Sequence, residues 1–280
     1  MEYPKHESPA QVATENIIIT LEFNMELENL FEKAGSIFEK EPRLIHLPSR
    51  GKVVFVGDTH GDLDATEQVI HQYLKKDYQI VFLGDYLDRG DYSEENIQFL
   101  LQMKLEHPDK IFLLAGNHEG YMVKEFYPAN FWKSLSLKER ENYGLLFSNF
   151  PLSATSQNGI LALHGALPDL KSLEEMNQVE LGDIHWDRIV WGDFVEGNVE
   201  VMGDLGGRPQ FGRPYFERLM EQYQKKVLVR SHQPYAPSMM FKKRCVTIFT
   251  SHAYLSIRTV VIADLEKEIR TAEDMMIERI

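Results

Sequence analysis

Val53-Val54-Phe55-Val56-Gly57-Asp58-Thr59-His60-Gly61-Asp62 is a short apolar run that stops at a glycine and opens onto side chains able to ligate metals or move protons. The same event recurs along the chain. Residues 80–83 lead into Gly84-Asp85-Tyr86-Leu87-Asp88-Arg89-Gly90, and residues 111–115 into Gly116-Asn117-His118-Glu119. Further on, residues 160–163 end in His164-Gly165 and residues 227–229 in Arg230-Ser231-His232. None of these runs alternates with polar residues, which predicts strands buried on both faces. Helix-like stretches over 64–75 and 94–105 separate the first three, so this part reads strand–helix–strand–helix–strand.

Around that centre, the apolar residues Leu27, Leu30, Phe31, Ala34 and Phe38 recur at three and four and predict an amphipathic helix within 16–40, broken by Pro42. Runs at 246–249 and 259–263 have no helix between them and read as antiparallel strands. The residues alone therefore predict an α/β fold with a mixed sheet, or two. Residues 1–15, polar and with two prolines, read as a flexible N-terminus, and 16–280 as one domain.

Composition narrows the classes of function. The formal net charge of −13 argues against a protein that coats nucleic-acid backbones. A single cysteine, Cys245, excludes an internal disulfide and a Cys-rich zinc knot, and fits a reducing compartment. The longest apolar run, 111–115, is far short of the ~20 residues of a spanning helix. Residues 1–11 lack the pattern of a secretory signal. The expectation is a cytoplasmic protein with neither membrane nor nucleic acid as partner.

Five buried strands that each deliver Asp, Asn or His at the carboxyl end place those groups on the edge where open α/β sheets bind ligands. Oxygen and imidazole donors without thiolate suit Mn²⁺, Fe or Zn²⁺. Two carboxylates, Asp58 and Asp85, suffice for one to bridge two cations, the arrangement used to clamp a phosphoryl group. Arg89, Arg208 and Arg230 are candidate partners of phosphate oxygens. Taken singly, each residue has a plainer reading. Asp58 or Asp62 serves as a helix N-cap, His164 as a hydrogen-bonded structural residue, and Asp88-Arg89-Gly90 as a turn with a surface ion pair. Five such coincidences at five strand ends weigh against the plain reading as a whole.

The motifs 57–61, 84–90 and 116–119 resemble those of the PPP-type serine/threonine protein phosphatases, within the calcineurin-like metallophosphoesterases. The spacings of 27 residues from Asp58 to Asp85 and 32 from Asp85 to Asn117 are similar as well. The resemblance extends over most of the chain after residue 40. It includes 41–45, Leu163-His164-Gly165, Trp191-Gly192-Asp193 and a late hairpin over 241–249, and its compactness is similar to prokaryotic or archaeal members. It implies two mixed β-sheets packed as a sandwich and flanked by helices.

Carried over residue by residue, the resemblance implies one metal held by Asp58, His60 and Asp85, and a second by Asp85, Asn117, His164 and His232. The cofactor is then a pair of divalent ions, Mn²⁺ first, with Fe or Zn²⁺ as alternatives. A metal-bridging hydroxide would attack phosphorus in line, while His118, oriented by Asp88, protonates the leaving alkoxide. Arg89 would bind phosphate, with Arg208 or Arg213 as the second arginine and Tyr254 nearby. Arg230 reads as a residue behind the ligands or a partner for an Asp. The implied substrates are phosphoserine and phosphothreonine in proteins, and no regulatory subunit is implied. The alternatives are a dinucleoside polyphosphate hydrolase and a non-catalytic metal-binding scaffold. Two positions depart from the family's loop, His252 and Ala253, where it carries a proline and an asparagine. Lys242-Lys243-Arg244 reads as solvated surface, Cys245 as packing, Met239-Met240-Phe241 as core or rim. His6, His46, His71, His107 and His185 read as bystanders.

Overall fold

The computed structural model describes residues 25–280. The predicted flexible terminus 1–15 and residues 16–24 of the stretch read as a helix lie outside that range. From residue 25 the helix α1 runs over 25–38. Ala34 and Phe38 are buried, and Leu30 and Phe31 pack against the same core, the face that the spacing marks out.

The strand–helix–strand–helix–strand reading holds. β2 (Lys52–Val56), β3 (Gln79–Phe82) and β4 (Ile111–Leu113) are parallel neighbours. They are joined by α2 (Leu63–Val69), which continues as a π-helical turn over Ile70–Leu74, and by α3 (Ser93–Glu106). Asp62 caps α2, its side chain accepting from the Ala65 amide, so the plainer reading is right at that position. Val56 stands opposite Phe82, and Phe82 opposite Leu113, so the three carboxyl ends are level. β13 (Thr259–Asp264) pairs antiparallel with β2, and β14 (Met276–Arg279) with β13, completing a five-stranded sheet.

The second sheet has six strands in the order β1 (Leu44–His46), β5 (Ser153–Thr155), β6 (Ile160–Leu163), β10 (Val227–Arg230), β12 (Cys245–Thr247) and β11 (Met239–Met240). Here β6 and β10 run parallel with Ala162 opposite Val229, which levels the ends carrying His164 and His232. Val53, Phe55, Val81 and Leu83 of the first sheet share one buried cluster with Ile160, Ala162, Val227 and Val229 of the second. The alternate residues Val54, Val56, Ile80 and Phe82 face the other core, with residues of α1 and α3. Both faces of the strands are therefore buried, and the fold is the expected sandwich of mixed sheets. The remaining helices are α4 (Asn130–Ser134), α5 (Leu137–Phe147), α6 (Ile184–Trp191) and α7 (Arg213–Gln222).

Two features differ from the sequence reading. The runs 246–249 and 259–263 each have an antiparallel neighbour, but not one another. β12 pairs with β11 and lies parallel to β10, whereas β13 belongs to the other sheet. The chain crosses between the sheets there, tied by the Thr259 amide donating to the Phe249 carbonyl at 2.7 Å. A third, small sheet, β7 (Asp193–Phe194), β9 (Pro209–Phe211) and β8 (Val201–Asp204), has no counterpart in the sequence reading. Every residue of β8 is exposed, so no burial pattern marks it.

Candidate metal centre

The level strand ends of both sheets meet at one point. Asp85 Oδ2 lies 3.4 Å from His164 Nε2 and 3.8 Å from both His60 Nε2 and His118 Nε2. Asp58 Oδ2 is 3.6 Å from His60 Nε2. His164 Nε2 is 3.3 Å from Asn117 Oδ1 and 3.0 Å from His232 Nδ1. All seven side chains are buried. Two groups of three can hold a metal: His60, Asp85 and His118, and Asp85, His164 and His232. Asp85 is common to both.

The local chain makes this approach possible. At Gly84 φ is +104°, and a Cβ there would stand 2.3 Å from the Gly116 amide nitrogen, so the loops after β3 and β4 touch only because neither carries a side chain at that point. Five residues of the site have positive φ without being glycine: His60, Asp85, Asp88, Arg89 and His232. Such backbone is costly and clusters at functional sites. Glu119 braces the arrangement. Its carboxylate accepts from the amides of Asp85 at 2.9 Å, Tyr86 at 3.0 Å and Gly116 at 2.8 Å, joining the two loops.

Hydrogen bonds from behind fix the imidazoles. His60 Nδ1 donates to the Leu87 carbonyl at 2.8 Å, and His164 Nδ1 to the Leu83 carbonyl at 2.9 Å. With those protons on Nδ1, the Nε2 lone pairs point inward, as in metal-ligating histidines oriented by outer partners. His118 is held differently. Its Nδ1 donates to Asp88 Oδ2 at 2.7 Å, while Asp88 Oδ1 accepts from the Phe131 amide at 2.8 Å.

The electrostatics fit a pair of cations. Burial, then the neighbouring Asp85, pushes the Asp58 carboxyl up to about 7. Burial holds His60 down to about 3. At His164 burial opposes charge, but Asp85 and Asp58 outweigh it and raise the imidazole to about 9. Burial, then Arg208 and His164, keep His232 well below its ordinary value. Asp58 Oδ2, 3.6 Å from His60 Nε2, is buried and lacks a hydrogen-bond partner, whereas His232 turns Nδ1 to His164 and its Nε2 toward Asp193 at 3.6 Å. An unpartnered carboxylate oxygen beside a second crowded carboxylate is what a divalent ion would satisfy, replacing a proton as it binds.

A cavity of about 780 Å³ opens onto this point, and Arg89, Arg208 and Tyr254 line it with His60, His118 and His232. Arg89 is set by three bonds: its amide donates to Asn130 Oδ1 at 2.8 Å, Nε to the Tyr254 hydroxyl and Nη1 to the Pro128 carbonyl. Arg208 forks onto Asp193, with Nε to Oδ2 at 3.0 Å and Nη2 to Oδ1 at 2.6 Å. Arg213 instead pairs with Glu196. Arg230 is buried and donates to the Gln233 side chain; no described carboxylate pairs with it, so of its two readings the one behind the ligands fits and the Asp partner does not. Lys242 and Lys243 pair with surface acids, and Cys245 is packed in the core. His46, His71, His107 and His185 stand apart from the cavity, and His6 is outside the described residues. Glu119, Asp193 and Asn130 carry no role in the pattern of strand ends. Only the position of the first two inside quoted motifs could have marked them.

The strand-end donors converging on one carboxylate, with arginines in the same cavity, define the class: a metallophosphoesterase. Residues 51–236 match the calcineurin-like phosphoesterase family, and the chain belongs to it. It is 28% identical over 245 residues to a protein of Encephalitozoon cuniculi named as a probable serine/threonine-protein phosphatase. That match covers 81% of this chain and 53% of the relative, so the chain spans about half the relative's length. Its fold is similar to that of a protein serine/threonine phosphatase from Saccharomyces cerevisiae, with a TM-score of 0.76 at 22% identity over 90% of this chain and 87% of the other. A cold-active protein-tyrosine phosphatase of Shewanella superposes with a TM-score of 0.57 at 16% identity, covering 87% and 84%. Among the described residues no helix is long and apolar enough to cross a membrane.

Proposed function

We propose that the chain is a dinuclear-metal phosphomonoesterase that hydrolyses phosphoserine and phosphothreonine in proteins. The observation that carries this reading is the meeting of His60, His164 and His118 at one oxygen of Asp85, a residue that lines the same cavity as Arg89 and Arg208. Asp58, His60 and Asp85 would hold one cation; Asp85, Asn117, His164 and His232 the other. Mn²⁺ is the first expectation, with Fe or Zn²⁺ as alternatives for the same oxygen and imidazole donors. When bound, such a pair supplies Lewis acidity and a water activated at neutral pH.

The protein's own residues do the rest. Arg89 and Arg208 grip the phosphate oxygens, and Tyr254 and Asp193 hold those guanidinium groups in place. His118 delivers the proton on Nε2 to the oxygen leaving phosphorus, since a serine or threonine alkoxide is a poor leaving group. Asp88 keeps the imidazole turned through its bond to Nδ1. The name of the Encephalitozoon relative supports a phosphoprotein as substrate, and the single cysteine supports a reducing, cytoplasmic setting.

The test is a comparison of kcat/KM for phosphoserine, phosphothreonine and phosphotyrosine peptides and a dinucleoside tetraphosphate, on protein loaded with Mn²⁺. Phosphoserine and phosphothreonine peptides are expected to exceed the nucleotide by at least about tenfold, 1.4 kcal/mol in the barrier. The reverse order overturns the reading in favour of a nucleotide hydrolase.

A further inference from the structure

The catalytic cavity is much larger than the phosphate needs, since about 780 Å³ falls in the range that encloses a whole drug-sized ligand. Beyond His232 its lining continues along Pro234, Tyr235, Ala236 and Pro237 to Met240, beside Val195 and Glu196 from the end of β7. Two bonds tie these segments together. The Phe194 amide donates to Gln233 Oε1 at 2.8 Å, and the Phe241 amide to Glu196 Oε1 at 3.4 Å.

This arm is apolar apart from Gln233 and Glu196, and both are engaged: the Gln233 side-chain oxygen accepts from the Phe194 amide and Arg230, and Glu196, besides the Phe241 amide, takes Arg213 Nη2 at 3.2 Å. Tyr235 stands 79% exposed. Two prolines within four residues restrict the loop, so little ordering is left to be done on binding. An apolar side chain laid along the arm loses water at no polar expense. A carboxylate or ammonium there would be desolvated against proline and tyrosine without a free counter-charge.

We infer that this arm is a specificity subsite that takes an aliphatic or aromatic residue flanking the phosphorylated serine or threonine. Its continuity with the catalytic cavity makes the substrate polypeptide its occupant. The inference rests on the proposed phosphoprotein activity and adds to it a sequence preference.

The experiment uses the full chain with Mn²⁺ and phosphothreonine peptides in an alanine background. Leu, Phe, Asp or Lys is placed in turn at each of three positions on either side. At one position at least, Leu or Phe is expected to give about tenfold higher kcat/KM than Asp or Lys, carried by KM, as one apolar side chain in a pocket allows. Tyr235→Ser should shrink that ratio, and its survival intact would overturn the assignment. Ala236→Lys should turn the preference toward Asp at the same position, a gain that misfolding does not produce; an unchanged preference also counts against the subsite. Equal kcat/KM for every flank, with the peptides still hydrolysed, overturns the subsite and leaves the proposed function standing. Hydrolysis of p-nitrophenyl phosphate with none of the peptides overturns both.

Discussion

Replacing Asp88 by Asn tests the division of labour in the site more sharply than removing His118. Asp88 has φ of +64°, a conformation that asparagine tolerates, so the backbone has no cause to move. The amide oxygen can still accept from the Phe131 amide, as Asp88 Oδ1 does at 2.8 Å. What changes is the atom 2.7 Å from His118 Nδ1, where an acceptor becomes a donor. Both partners are buried, so water does not substitute. The charged imidazole loses a hydrogen bond of the charge-assisted kind, about 1.5–3 kcal/mol. At 1.36 kcal/mol per factor of ten, that is about a 10- to 100-fold fall in any step that draws on the doubly protonated imidazole. The assay is kcat on a phosphothreonine peptide beside kcat on p-nitrophenyl phosphate, whose phenolate leaves without help. The peptide rate should fall by that factor and the p-nitrophenyl rate by much less. Metal content should hold, because both oxygens of Asp88 are already engaged by His118 and the Phe131 amide. An equal fall on both substrates would refute the acid role of His118, and so would no fall on either.

Two further outcomes follow from the geometry. Asp85→Asn removes the carboxylate common to both candidate clusters, and elemental analysis after Mn²⁺ loading should find both cations lost; two retained ions would remove Asp85 from the centre. Gly116→Ala places a Cβ 2.3 Å from Asp85 Oδ1 and 2.6 Å from its amide, so the carboxylate must shift. Strain of this kind costs about 1–3 kcal/mol, at roughly 2–4 °C of Tm for each kcal/mol, and calorimetry showing an unaltered Tm would contradict the packing.

Much of this was legible in the sequence because the decisive information was local. An apolar run followed by glycine and a donor marks a buried strand and what it carries at its end, and five such runs put Asp58, Asp85, Asn117, His164 and His232 in place before any fold was drawn. Information that depends on partners was not local. Burial on both faces carries no mark of which sheet a strand joins, so residues 246–249 and 259–263 could not be assigned to different sheets. β8 has no buried residue to announce it. Glu119 and Asp193 act through distant groups, two amides of the β3 loop in one case and Arg208 in the other. The separations of 34, 33 and 15 residues leave no periodic trace.

The left-handed backbone at His60, Asp85, Asp88, Arg89 and His232 has a consequence for how the molecule can change. Each such residue is a debt of about 1–3 kcal/mol owed by the surrounding sandwich. Glycine or asparagine would relax the chain at these positions while deleting the chemistry. A search for thermal tolerance that ignored turnover would therefore wear away the centre before the scaffold. Mutational maps of melting and of turnover should be anticorrelated at these five positions.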